Sequence, residues 1–311
     1  MEIFLGLIFK IAPLYFVVFL GYLAGKYLDV KKESVAALLI YFIAPLVIFN
    51  GVVTASFDYS VILLPLLFFT VATVFSLVFY NIGKLFWQGA EKNVLAFTAG
   101  SGNTGYFGLP LVLALFGDQY LSIAVLTTLG LVLYENSVGY YFIARGNFSP
   151  KDAAMKVLKL PTLYAFVVGV VFLALHFSFN DTIASLFSNF RGAYSVLGMM
   201  LVGLGLAGIT RASVDSTFLS AAFSAKFIVW PVAVMGLIYL DSTHFHLLSA
   251  FMYPVMLLLS IVPLASNTVA FATQLKAIPE KAAFTVLAST LFALLYIPLF
   301  VAFVFPLVLP G

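Results

Sequence analysis

The 311-residue chain contains no cysteine. That absence excludes a disulfide framework, a thiolate nucleophile and a cysteine-ligated metal. Charge is almost as scarce: Asp, Glu, Lys and Arg together make up 9% of the residues, where a soluble domain carries roughly a quarter. A formal net charge of +3 on so apolar a chain does not fit a nucleic-acid-binding protein. Of the three histidines, His244 and His246 share one polar loop without further ligands, so no metal site and no cofactor is expected. A Walker A motif is missing, and no stretch has room for a nucleotide-binding domain, which argues against ATP as the direct energy source. Only Met1 and Glu2 precede the first apolar run, so no cleavable signal peptide is expected.

What the chain has instead is apolar length. Hydrophobic residues make up 63% of it and the mean hydropathy is +1.14. Runs of roughly 20 residues, each long enough to cross a bilayer, lie near 3–25, 34–54, 60–83, 91–116, 119–143, 158–177, 184–209, 216–240, 247–275 and 280–307. The expected fold is an all-α polytopic membrane protein of ten transmembrane helices, embedded in a lipid bilayer. Lys26, Lys31, Lys32, Lys84, Lys92, Arg145, Lys151, Lys156, Lys159, Arg211, Lys276 and Lys281 fall in alternate connections. The other connections carry Asp58, Asp118, Asp181 and Asp241. The positive-inside rule then puts the basic loops in the cytoplasm and both termini outside, in a cell (inner) membrane. Lys10, Arg191 and Lys226 remain inside expected spans; Lys10 reads as a snorkelling side chain and Arg191 as interfacial.

Two runs cannot stay helical. Gly100 to Pro110, GSGNTGYFGLP, holds four glycines and a proline at membrane depth. Freed backbone groups cost several kcal/mol each in hydrocarbon, so such a break survives only inside protein or along a polar cavity. A partner occurs in the ninth run, where Pro263-Leu264-Ala265-Ser266-Asn267-Thr268 interrupts an apolar stretch. The first run carries Pro13-Leu14-Tyr15-Phe16 and the sixth Pro161-Thr162-Leu163-Tyr164-Ala165-Phe166 in a similar place. These likenesses point to a duplication, 1–150 and 151–311. Five spans per half make the halves inverted, with an interrupted helix in each, the pattern of a secondary transporter with a midplane site.

GNTGYFGLPL at Gly102 to Leu111 and IAPLVIF at Ile43 to Phe49, supported by PLASNT at Pro263 to Thr268, resemble the auxin efflux carrier family. The long cytoplasmic loop of many plant members is absent, which brings the chain nearer the compact prokaryotic permeases of the bile acid/auxin transporter superfamily. The resemblance implies broken, crossing fourth and ninth helices. It also implies elevator-like motion of a transport domain (spans 3–5 and 8–10) against a scaffold (spans 1, 2, 6 and 7), and a homodimer through the scaffold helices. Gly203, Gly205 and Gly208 on the seventh span would permit close helix contact.

Asn103, Thr104, Asn267 and Thr268 head the substrate-site candidates: half-helix N-termini and neutral amides suit a carboxylate. Their competing role is to cap the broken helices. Pro110 and Pro263 are expected to hold the breaks open, and Tyr106 to wall the site or pack in the core. Glu135 is the one acid inside an expected span, beside Asn136. It could carry a coupled H+, ligate Na+ with Asn136, or pair with Lys226. Lys226 could instead attract the anion, or snorkel to the interface. The leading expectation is a secondary transporter or permease of small organic anions; the alternative is a sodium-coupled symporter of the bile acid type. An intramembrane enzyme would need a nucleophile with a base, or a metal, that the chain does not supply, and a sensor would bring a soluble output domain.

Overall fold

The computed structural model describes residues 2–54, 59–208 and 214–308. Asp58 and Arg211 lie outside these, as do the side chains of Lys10, Tyr106, Pro110 and Asp118. Every regular element among the described residues is helical. Helix α1 runs Glu2–Tyr27, α2 Lys32–Val53, α3 Tyr59–Gly83, α4 Glu91–Gly100, α5 Leu109–Phe116 and α6 Leu121–Arg145. The short α7 (Pro150–Leu158) leads into α8 (Pro161–Ala174), followed by α9 (Asp181–Ala207) and α10 (Ser216–Phe245). Then come α11 (Tyr253–Ser260), α12 (Asn267–Gln274) and α13 (Pro279–Phe303). Six unbroken helices, α2, α6, α9, α10, most of α3 and α13 with its extension, are long and apolar enough to cross a membrane. The pair α7 and α8, bent by 45°, would make a seventh. The runs 91–116 and 247–275 are interrupted midway.

Close backbone approach sets the packing. A β-carbon on Gly203 of α9 would collide with the Val18 and Tyr22 backbone of α1, and one on Gly21 with Met200, so bare glycines seat α1 on α9. Gly205 of the same stripe faces Ala283 of α13, and Gly208 faces Glu280. The close helix contact expected of this stripe is made within the chain at Gly203 and Gly205, which are buried, while Gly208 stays exposed. Helix α2 packs on α8 through Val52 against Gly169 and an edge-on contact between Phe49 and Phe172, 5.4 Å apart. Helix α3 packs against α4 and α6.

The buried apolar side chains form two bodies, one on each side of the two interruptions. One gathers α4 and α12 with parts of α1, α2, α9 and α13 near the lysine-rich loops. The other gathers α5 and α11 with parts of α3, α6, α10 and α13. Between them lies a thin layer that includes Ser101, Asn103, Thr104, Glu135, Lys226 and Ser266, each at most 4% exposed. The layer exists because the breaks leave backbone groups that only polar neighbours can satisfy.

Candidate functional site

Helix α4 stops at Gly100, and Ser101 is extended at φ −107°, ψ 167°. The backbone resumes after Asn103 in a π turn, Thr104–Gly108, that feeds α5. Pro110 falls in the first turn of α5, past the break, where its missing N–H is tolerated; the opening itself is Ser101 to Asn103. The last carbonyls of α4 are capped by side chains from three other helices. Trp230 Nε1–H of α10 donates to Ala99 O at 2.6 Å. Ser76 Oγ of α3 donates to Ala96 O at 2.7 Å, and the Tyr134 hydroxyl of α6 donates to Phe97 O at 3.2 Å. Gly100 has no room for a β-carbon, which would strike the Tyr134 ring and Ala72 O.

The second interruption, Ile261 to Ser266, meets the first directly. Asn103 N–H donates to Pro263 O at 2.8 Å, and Asn103 Nδ2 donates to Ser266 Oγ at 3.2 Å. Leu264 N–H is taken by Ser289 Oγ of α13 at 3.1 Å. Neither expected capping amide caps its own helix. Asn103 reaches across to the other break. Asn267 donates from Nδ2 to Glu135 Oε2 at 2.7 Å and accepts at Oδ1 from the Tyr194 hydroxyl at 2.9 Å.

Two opposite charges bracket Gly102. The Glu135 carboxylate receives the Asn267 amide on one side and is faced by the Gly102 N–H. On the other side Lys226 Nζ, fully buried, lies so near that a β-carbon on Gly102 would sit 2.5 Å from it. Both charges are carried on π turns, Glu135–Gly139 and Ala225–Val229, which aim a side chain that a regular turn would not. Among the described residues the two form no ion pair. Lys226 Nζ has no hydrogen-bond partner, with only the Trp230 ring 5.0 Å away and Glu135 attracting it at longer range. A buried ammonium without an acceptor is an unmet demand of several kcal/mol.

The other expected residues scatter. Thr268 is fully buried with its hydroxyl unpartnered. Thr104 is buried at the break. Asn136 turns its amide back to Val132 O of its own helix at 2.9 Å, away from Glu135's partners. Arg191 is exposed on α9. Tyr194, Ser266 and Trp230 were not singled out from the sequence; an aromatic among so many, or a serine beside an Asn-Thr pair, carries no signal until the helices are placed. A cavity of about 230 Å³ near Leu63, Leu237 and Asp241 lies at the far end of the fold. Its acid is already held by Leu247 N–H, Leu248 N–H and the Tyr253 hydroxyl.

At the opposite end the lysine-bearing connections converge. Lys32 pairs with Glu280, and Lys281 bridges Glu91 at 3.0 Å and Asp215 at 3.2 Å. Burial alone would raise the Asp215 carboxyl, but the Phe218 N–H and Lys281 outweigh it and hold the group below its ordinary range. Asn147 ties α6 to this end through Leu275 O and Lys276 O, both at 2.9 Å.

Crossing interruptions buried among apolar helices define a multi-pass helical membrane protein, and known proteins agree on its class. Residues 7–147 match the family described as membrane transport protein. An uncharacterized transporter of Methanocaldococcus jannaschii is 25% identical over 294 residues, covering 91% of this chain and 94% of that protein. Together these matches point to a transport protein rather than an enzyme. With the motifs at Gly102 to Leu111 and Ile43 to Phe49, they support a membrane transporter similar to the auxin efflux carrier family.

Proposed function

We propose that the protein is a secondary transporter or permease of small organic anions, with carboxylates as its substrate class and the crossing of the two breaks as its site. The observation that carries this reading is the Lys226 ammonium, buried without a hydrogen-bond partner against Gly102, in the first break. A carboxylate bound there would supply the acceptor that the resting protein lacks, in a charge-assisted bond. Asn103, Thr104, Asn267 and Thr268 add neutral donors, with Pro263, Tyr106 and Pro110 in the same two segments. Glu135 is the ion-coupling residue: either H+ or Na+ would neutralise it, and Asn136 stands beside it in the chain. Sodium coupling would make the protein a symporter of the bile acid type.

The transport cycle is of the elevator type. Its support is the helix pairing. The first span (α1) packs on the seventh (α9), and the second (α2) on the sixth (α8). These pairs exchange when the chain is advanced by five spans, as two inverted repeats of five require. Spans 1, 2, 6 and 7 then form the scaffold, and spans 3–5 and 8–10 the moving unit that holds the crossing. The converging lysine-rich loops mark the cytoplasmic side of a cell membrane, with both termini outside.

Thermal-shift titration of purified protein with mono-, di- and tricarboxylates, over a grid of pH and Na+, tests the reading. Binding raises the unfolding temperature by mass action. Asn103→Ala is expected to remove that shift while leaving a folded protein; binding as tight as wild type would end the crossover assignment.

A further inference from the structure

The geometry points to Tyr194 as a positioning residue of this site: its hydroxyl links the charge state of Glu135, through the Asn267 amide, to the scaffold helix α9. The inference rests on the proposed roles of Glu135 in coupling and of α9 in the scaffold.

Three side chains from three helices form one line. The Tyr194 hydroxyl, half-buried on α9, donates to Asn267 Oδ1 at 2.9 Å; Asn267, at the start of α12, donates from Nδ2 to Glu135 Oε2 of α6 at 2.7 Å. An ionised carboxylate can only accept, so the Asn267 NH₂ group must face it. That orientation leaves Oδ1 toward Tyr194, whose hydroxyl must then donate. The order of donors along the line is thus dictated by the charge on Glu135.

Neutralising Glu135 removes the dictate. A proton on the carboxyl, or Na+ on its oxygens, competes with the Asn267 N–H and ends a charge-assisted bond that is about twice as strong as a neutral one. The amide can then turn, presenting NH₂ to Tyr194, and the bond to the scaffold must reverse its sense or open. The other groups facing Glu135 are Lys226 from α10 and the Gly102 N–H after α4. Tyr134 on its own helix is engaged by Ser76 and the Ala96 and Phe97 carbonyls. Lys32–Glu280 and Tyr41–Gln274 also cross from α2 to the moving unit, but at the lysine-rich end, away from Glu135. Ser266 Oγ also reaches Met199 Sδ of α9 at 3.5 Å, but that contact does not include Glu135 or Asn267. Tyr194 is therefore the polar contact joined to Glu135 through which a cation there can loosen the crossing from the scaffold.

The absence of cysteine makes the test clean. Spin labels on Leu175→Cys, at the end of α8, and Phe245→Cys, at the end of α10, both exposed, report the separation of scaffold and moving unit. The full chain in nanodiscs of phosphatidylethanolamine and phosphatidylglycerol is measured at low and neutral pH, in NaCl and in KCl. We expect the labelled protein to shift its distance distribution with pH or with Na+; the condition that moves it identifies the cation. Glu135→Gln should lose the shift, and so should Tyr194→Phe, which keeps the ring. Asn267→Ala cuts the same line from its other end and should match Tyr194→Phe. No shift in the parent, or a full shift in Glu135→Gln, overturns the coupling role of Glu135. A shift lost in Glu135→Gln but kept whole in both Tyr194→Phe and Asn267→Ala overturns the link alone.

Discussion

Replacing Lys226 by methionine should make the protein more stable and worse at its task. Methionine keeps an unbranched side chain of similar length and deletes the ammonium, which lies 5.0 Å from the Trp230 ring. In the resting protein that ammonium is fully buried and has no hydrogen-bond partner. Exchanging poorly satisfied buried charges for apolar groups of similar volume is neutral or stabilising by about 1–4 kcal/mol. Losing one partner of a buried, hydrogen-bonded charge pair costs about 2–5 kcal/mol of binding, which weakens the Kd by roughly 30-fold to a few thousand-fold. The two effects have opposite signs, so a general folding defect cannot imitate them. The assay compares thermal unfolding of wild type and Lys226→Met in one detergent, first alone and then across a titration of the carboxylate that best stabilises wild type. A mutant that melts earlier and still binds that carboxylate with wild-type affinity would refute the reasoning. It would mean that Lys226 is already satisfied within the protein.

Further outcomes follow from the same geometry. Glu135→Gln cannot ionise, so it should flatten the dependence of transport on pH or Na+; a wild-type profile would make Glu135 structural. Gly203→Val forces side-chain atoms into the α1 backbone and should destabilise the fold by about 1–3 kcal/mol. Size-exclusion chromatography should show the same particle size for folded wild type and mutant, because that glycine faces the chain's own helix. Asp215→Asn should lower stability at neutral pH by less than about 1 kcal/mol, the pair lying at the surface with its side chains 17% and 21% exposed. Because the folded carboxyl titrates below its ordinary value, its contribution is present above the unfolded pKa and is lost as pH falls through the folded one. The gap between the two melting curves should therefore close in strong acid; a gap unchanged down to that range would contradict the assignment.

Much of the site was legible at the level of segments. Four glycines with Asn103 and Thr104 in an apolar run announce a break, because the backbone cost in hydrocarbon is large whatever surrounds it. Pro263 to Thr268 is readable for the same reason. Side-chain partners were less legible. Asn103 and Asn267 have the chemistry of helix caps, yet both reach across space, since the other break offers Ser266 and α6 offers a carboxylate. Asn136 sits next to Glu135 in the chain but turns to its own helix. Proline 110 looked like the breaker and falls instead where a helix tolerates it. Pairing with Lys226 was one of three readings of Glu135; both groups lie near Gly102, and among the described residues no ion pair joins them.

Composition and periodicity alone determined that this chain lives in a membrane, where its interruptions fall, and which loops carry positive charge. Those properties depend on local transfer energies and backbone chemistry, which act residue by residue. Only the tertiary structure decided that the two interruptions hydrogen-bond to each other, that Gly203 and Gly205 of α9 are covered by α1 and α13, and that Tyr194 touches Asn267. Each of these joins residues from about 70 to more than 180 positions apart in the chain. Their meeting depends on how helices pack, ridge against groove and glycine against backbone, and no local pattern encodes that.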